Sequence, residues 1–305
     1  MGSASHGLHK DIRVAVELRA FQTPEHEPFL WQGDPALSAA ALLIHGFPGT
    51  PRELRRAGNL LLQAGWTAQG LLLPGFGQSI AELPQRRHAD WVTAIEHALH
   101  ELRRSHRHVM LVGNSMGAAL ALHVAARQAV DGVILFAPFW RVDSWLDKVF
   151  PVAATVLPQI KPFSRADFAD PKFRDTLHQF MPEADLDNAE VQQAIRELRI
   201  PVRVLGQVRR SGQLGYRAAA RVTAPALVIQ GAHDPLVKPA VTQRLAARLP
   251  NLVEYVEVPG DHEIISSNDS SWPPVAEAVR VYVGRILTVT HTSTQHTHAA
   301  THRNA

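Results

Sequence analysis

The residues most able to do chemistry are Gly113-Asn114-Ser115-Met116-Gly117. The apolar run His108–Val112 precedes them directly, and Ala118–Ala126 opens a helix of small residues. A serine between two glycines at a strand-to-helix turn is expected to be held out at the carboxyl edge of a sheet, with the helix N-terminus behind it. The glycines let strand and helix approach closely. A serine hydroxyl is a weak nucleophile that needs a base and a group to orient that base. Among 17 histidines, position selects His262, in Pro259-Gly260-Asp261-His262-Glu263, just past the strand-like run Leu252–Val258. Asp234, in Gly231-Ala232-His233-Asp234-Pro235, follows the run Ala226–Gln230 in the same way. All three sites would lie on loops at one sheet edge, so a triad of Ser115, Asp234 and His262 is expected. The rival acids are less suited. Asp261 and Glu263 adjoin the histidine and would point away from an imidazole aimed at the serine. Asp131 falls at the opposite edge.

A tetrahedral oxyanion needs two backbone donors. One is expected from the N–H of Met116, the residue after the serine. The other is expected from Phe47 in His45-Gly46-Phe47-Pro48-Gly49, which follows the strand Ala40–Ile44. Pro48 has no N–H, and His45 reads as a brace for the loop rather than the base.

The elements that must position these groups alternate. Short apolar runs at Ala40–Ile44, Ala68–Leu73, His108–Gly113, Gly132–Ala137, Ala226–Gln230 and Leu252–Val258 read as buried parallel strands. Ile12–Arg19 alternates and reads as a half-exposed strand, and a second short strand is expected around Pro28–Gln32. Helical spacing marks Arg52–Ala64, Ala89–Arg104, Ser115–Gln128, Pro239–Arg248 and Val275–Leu287. This is an α/β pattern: a mostly parallel sheet with helices on both faces. Between Ala137 and Ala226 the connection is too long for a crossover and is rich in proline and aromatic residues, including Phe139, Trp140, Trp145, Phe150, Phe163, Phe168, Phe173 and Phe180. It reads as an inserted helical cap. The expected division is 1–138 for the first part of the core, 139–205 for the cap, 206–287 for the second part of the core, and 288–305 for a disordered polar tail.

Composition narrows the classes. The chain has 305 residues, 46% hydrophobic and 19% charged, which is globular. With no cysteine, disulfides, thiolate metal sites and a thiol nucleophile are excluded. A formal charge of +3 does not suggest a nucleic-acid partner. The arginine clusters, Arg52/55/56 among them, read as solvated surface. No run approaches the ~18 apolar residues of a membrane span, and no apolar leader opens the chain, so a cytoplasmic protein is expected. No metal site is expected. Only His291, His296, His298 and His302 cluster, in the tail, where a solvated reading is preferred.

Four segments, HGFPGTPRELR, LLLPGFGQS, GNSMG and GAHDPLV with PGDHE, resemble the α/β-hydrolase superfamily, and within it the bacterial monoacylglycerol lipase and carboxylesterase group. The likeness runs from about Ala40 to Leu287. It implies serine ester hydrolysis without a cofactor, on a small acyl ester substrate, with transient contact with lipid surfaces as a further expectation. It also implies Ser115, Asp234 and His262 as nucleophile, acid and base, and the Phe47 and Met116 amides as oxyanion donors. Two positions depart from the pattern. Ala118 stands where a third glycine is frequent. Phe76 stands where LPGHG is usual, and is expected to reshape the entrance to the site. GNSMG also resembles the elbow of carbon–carbon hydrolases acting on meta-cleavage products. A non-catalytic ligand-binding protein on the same fold is the remaining alternative.

Overall fold

A computed structural model describes residues 21–142, 158–180, 184–265 and 270–301. The strand expected at Ile12–Arg19, together with Trp145 and Phe150, lies outside the described residues. In chain order the described elements are strands β1 (Phe29–Trp31), β2 (Ala39–Ile44), β3 (Thr67–Leu71), β4 (His108–Asn114), β5 (Gly132–Phe136), β6 (Gln159–Ile160), β7 (Ile200–Pro201), β8 (Ala226–Gly231) and β9 (Leu252–Val258). The helices are α1 (Arg55–Gln63), α2 (His88–Ser105), α3 (Met116–Ala125), α4 (Pro171–Phe180), α5 (Ala189–Glu197), α6 (Val202–Ala219), α7 (Pro239–Ala246) and α8 (Trp272–Thr301).

Seven strands form one sheet in the order β1-β3-β2-β4-β5-β8-β9. Only β1 runs antiparallel, against β3. The other pairings are parallel, so the loops after β2, β4, β8 and β9 all leave at one edge. β2, β5 and β8 are buried along their whole length, which is why they read as unbroken apolar runs. β9 is an edge strand, and its exposed Glu254 and Glu257 have water beside them. Apolar clusters cover both faces: α2, α3 and α6 pack on one, α1 and α8 on the other. Helix α3 is buried at nine of its ten positions. A methyl on Gly215 of α6 would meet the Ala119 carbonyl oxygen at 2.5 Å, so α6 lies directly on it.

Two findings differ from the sequence expectations. Helix α8 runs on to Thr301, beyond the end expected at Leu287, because no glycine or proline from Thr288 to Thr301 stops it. The arginines at 52, 55 and 56 are not plain solvated surface. Arg55 donates to the carbonyls of Pro24 and Glu25 and lies 4.8 Å over the Phe29 ring. Arg52 pairs with Glu25 at 3.1 Å, and Arg56 lies 4.2 Å over Trp272. The Arg52 and Arg55 contacts hold the segment before β1 against the start of α1, and the Arg56 contact holds the start of α8 against that helix. In the connection between β5 and β8, Phe163, Phe168 and Phe173 pack on one another in a small separate cluster with Leu177, Leu186 and Ile195. Trp140 stacks on Tyr216 at 3.9 Å. These rings are already engaged in contacts of their own.

Candidate active site

Ser115 follows β4 and caps α3 with φ 51° and ψ −114°. A side-chain-bearing residue there costs about 1–3 kcal/mol of backbone strain, which the surroundings must hold in place. They do so through bonds to the strand next door. The Ser115 N–H donates to Phe136 O at 2.9 Å, and the Ser115 carbonyl accepts from Phe139 N at 3.1 Å. The flanking glycines are required by contact. A Cβ on Gly113 would lie 2.5 Å from the Ala118 backbone, and one on Gly117 would lie 2.1 Å from Ile44 O. Ala118, the departure from the usual pattern, is fully buried.

The three groups picked out by position meet. His262 Nε2 is 2.9 Å from Ser115 Oγ, and His262 Nδ1 is 2.7 Å from Asp234 Oδ2. Asp234 is buried, 3% exposed. Its other oxygen accepts from Leu236 N and Val237 N, both at 2.8 Å, and Oδ2 also accepts from Gln230 Nε2. Burial works against its charge. The hydrogen bond and positive charge of His262 and the Val237 and Gln230 donors outweigh that, so the carboxyl stays below its ordinary range. An ionised Asp234 fixes the proton on Nδ1 and leaves Nε2 to accept the serine hydroxyl proton. Asp261 turns away: its Oδ1 accepts from Glu263 N. Asp131 sits at the far edge, bonded to His108.

The loop His45–Gly49 lies against the elbow. A Cβ on Gly46 would lie 3.1 Å from Ser115 Cβ. His45 is fully buried. Its Nε2 accepts from Leu73 N at 3.1 Å, so Nδ1 carries the proton and donates to Gly46 O at 2.8 Å. Burial, opposed by that bond, lowers its pKa to about 4, and a neutral brace is the result. Phe76 is fully buried between His45, Phe47 and Trp91. It backs the loop from the core side rather than shaping an entrance, which corrects the expectation. Phe47, Ser115 and His262 line one cavity of about 270 Å³, while Met116 begins the helix behind Ser115.

One participant was not singled out in the sequence. Glu53 lies in the 3-10 turn Pro51–Leu54 and turns its carboxyl back into the site. Its Oε1 accepts from Gly46 N at 2.5 Å and from Asn114 Nδ2 at 3.0 Å. Burial pushes its pKa up to about 7 against the pull of these donors. Its one sequence signal was an acid among arginines, seven residues past Gly46. Among the described residues no group of three or more His, Cys, Asp or Glu side chains could hold a metal ion. No helix there is long and apolar enough to cross a membrane.

A parallel sheet in this strand order, with a strained serine elbow at the end of β4, is the architecture of the α/β hydrolases. Within that class the chain belongs to the family described as serine aminopeptidase, S33, whose model matches residues 35–268. A thermostable monoacylglycerol lipase of Bacillus sp. (strain H-257) is 26% identical over 215 residues, 70% of this chain and 76% of the relative. A solved structure described under LipS and LipT, two metagenome-derived lipolytic enzymes, has a TM-score of 0.66 at 20% identity and covers 86% of this chain and 98% of its own. The monoacylglycerol lipase of Paleococcus ferrophilus has a TM-score of 0.63 at 17% identity, with coverage of 86% and 98%. At these identities the structural likeness is one of fold.

Proposed function

We propose that the protein is a serine hydrolase that cleaves carboxylic esters, with monoacylglycerols and other short-to-medium-chain acyl esters as its substrates. The observation that carries this reading is the continuous hydrogen-bonded series from Asp234 through His262 to Ser115. Ser115 Oγ attacks the ester carbonyl as His262 Nε2 takes its proton. Asp234 holds the imidazole tautomer and stabilises the imidazolium. The Phe47 and Met116 N–H groups bind the oxyanion. Collapse expels the alcohol, which leaves with the proton from His262. Water, activated by the same imidazole, then releases the acid. No step calls for a cofactor.

Residues 139–205 are the cap in this proposal, and 1–138 and 206–287 the two parts of the core, with helix α8 continuing past 287. The local apolar cluster around Phe168 and Leu186 supports a distinct cap. The cap side would receive the acyl chain. A cytoplasmic setting and transient contact with lipid surfaces belong to the same proposal. The lipolytic relatives favour esters over the carbon–carbon bond of a vinylogous diketone.

The test is release of p-nitrophenol from p-nitrophenyl esters together with labelling by a fluorophosphonate. Labelling and release in wild type, both lost in Ser115→Ala, are expected. A protein that neither labels nor turns over would leave the non-catalytic alternative.

A further inference from the structure

The two expected oxyanion donors sit on separate pieces of chain. Phe47 follows Gly46 in the loop after β2, and Met116 lies two residues past Asn114 on the elbow. Nothing in the covalent chain holds one against the other. Glu53 does. A single oxygen, Oε1, accepts from Gly46 N at 2.5 Å and from Asn114 Nδ2 at 3.0 Å. The second oxygen is seated against Gly49, where a methyl group would lie 2.0 Å from Oε2. The loop is therefore wrapped around the carboxyl at both of its glycines, and the elbow is bonded to the same atom. We infer that Glu53 is a positioning residue that clamps the loop carrying Phe47 to the elbow carrying Met116, setting the spacing of the two oxyanion donors. The inference rests on the triad and donor assignment proposed above.

The geometry is demanding enough to matter. Loss of one oxyanion donor costs about 10²–10³ in kcat, and a misplacement of about 1 Å can cost about 10². The charge state of the clamp matters as well. A carboxylate beside the donors repels the oxyanion they are meant to hold, while a neutral carboxyl keeps both accepted bonds without that repulsion. The charged and titratable groups around it are Glu263 and His262 from the loop after β9, His26 from the turn before β1, and Arg52 and Arg56 on its own segment, all lining the same cavity. Arg52 faces Glu25. Burial and Arg52 hold His26 down at about 4, so that it is neutral. Glu263 favours the protonated form of Glu53 and His262 the ionised form, with burial the largest influence, toward the protonated form.

The experiment compares wild type, Glu53→Gln and Glu53→Ala on a p-nitrophenyl ester, with kcat and KM measured from pH 5.5 to 9. Glu53→Ala should lower kcat about 10²-fold with KM changed less than about threefold, because the donors act on the transition state. Glu53→Gln keeps an acceptor at Oε1, so its kcat should stay within about fivefold of wild type at pH 6. It should also overtake wild type above pH 7, because wild type alone then carries the charge. Full kcat in Glu53→Ala, a loss confined to KM, or a Glu53→Gln variant as impaired as Glu53→Ala at every pH would each overturn the inference. Where Glu53→Ala does not fold, Asn114→Leu removes one of the two bonds and should lower kcat about tenfold; unchanged kcat there overturns the clamp equally. Failure of the underlying reading shows separately, as wild type that does not label with fluorophosphonate.

Discussion

Glu53→Gln removes a titrating proton from the wall of the cavity beside Ser115 and His262 and leaves the bonding of Oε1 intact, because an amide carbonyl accepts as a carboxyl oxygen does. In the folded protein burial pushes Glu53 from 4.5 up to about 7. Between those two values the folded chain holds a proton that the unfolded chain has lost. Stability then falls as pH rises through that window and levels off above it. The full displacement corresponds to about 3 kcal/mol. Water reaching the cavity screens the charge, so the expected effect is on the order of 1–3 kcal/mol. Glutamine carries no such proton. Near pH 4.5 the variant and wild type should therefore be equally stable, and the variant should gain steadily to a plateau above about pH 7. The assay is urea unfolding of both proteins at pH 4.5, 6, 7 and 8, with the difference taken at constant m-value. A difference that does not change with pH, or a variant less stable than wild type at pH 8, would refute the reasoning that burial dominates this carboxyl.

Ser115→Ala should abolish ester hydrolysis, by up to ~10⁶ in kcat, with an unchanged melting curve; more than a few per cent of activity left would reassign the nucleophile. Asp234→Asn should cost about 10⁴ in kcat through the wrong imidazole tautomer, whereas Asp261→Asn should cost far less; the paired rate measurements decide which acid orients His262. EDTA should leave turnover unchanged, and activity lost to the chelator and restored by zinc would require a metal-based mechanism. Across p-nitrophenyl esters, kcat/KM should rise from acetate to medium chains, each buried methylene contributing up to about 0.8 kcal/mol, and then fall; a steady preference for acetate would remove the acyl pocket.

The chemistry was legible where local pattern and position coincide. Central strands such as Leu42–Ile44 and Val109–Val112 are covered on both faces, so their sequence has to be apolar throughout. The serine and the acid follow two such strands, β4 and β8, and the histidine follows the edge strand β9. Asp234 could be chosen over Asp261 because an adjacent residue cannot easily turn back on its neighbour's ring, and Asp261 is indeed bonded within its own turn. Glu53 was not legible, because its role depends on two partners 7 and 61 residues away. Nothing in a one-turn segment reports where the carboxyl will point. Arg55 escaped for the same reason: its partners Pro24, Glu25 and Phe29 come from a different segment. Phe76 reads in sequence as a change at an entrance, yet it is packed between His45 and Trp91. Its side of the loop is set by tertiary contact, which a motif comparison does not carry.

The hydrogen bond between Ser115 and His262 spans 147 residues of chain. In a chain made from its N-terminus, β2, β4 and the elbow are available long before β8 and β9. Strands β8 and β9 must then add to the edge of an existing sheet, a contact of long sequence separation and hence a late one in folding. Until they dock, Ser115 lacks the His262 and Asp234 bonds and is an ordinary alcohol. With the proposed roles, the nucleophile gains its base only when β8 and β9 are in place, and a chain that stops short of them lacks the means to attack an ester.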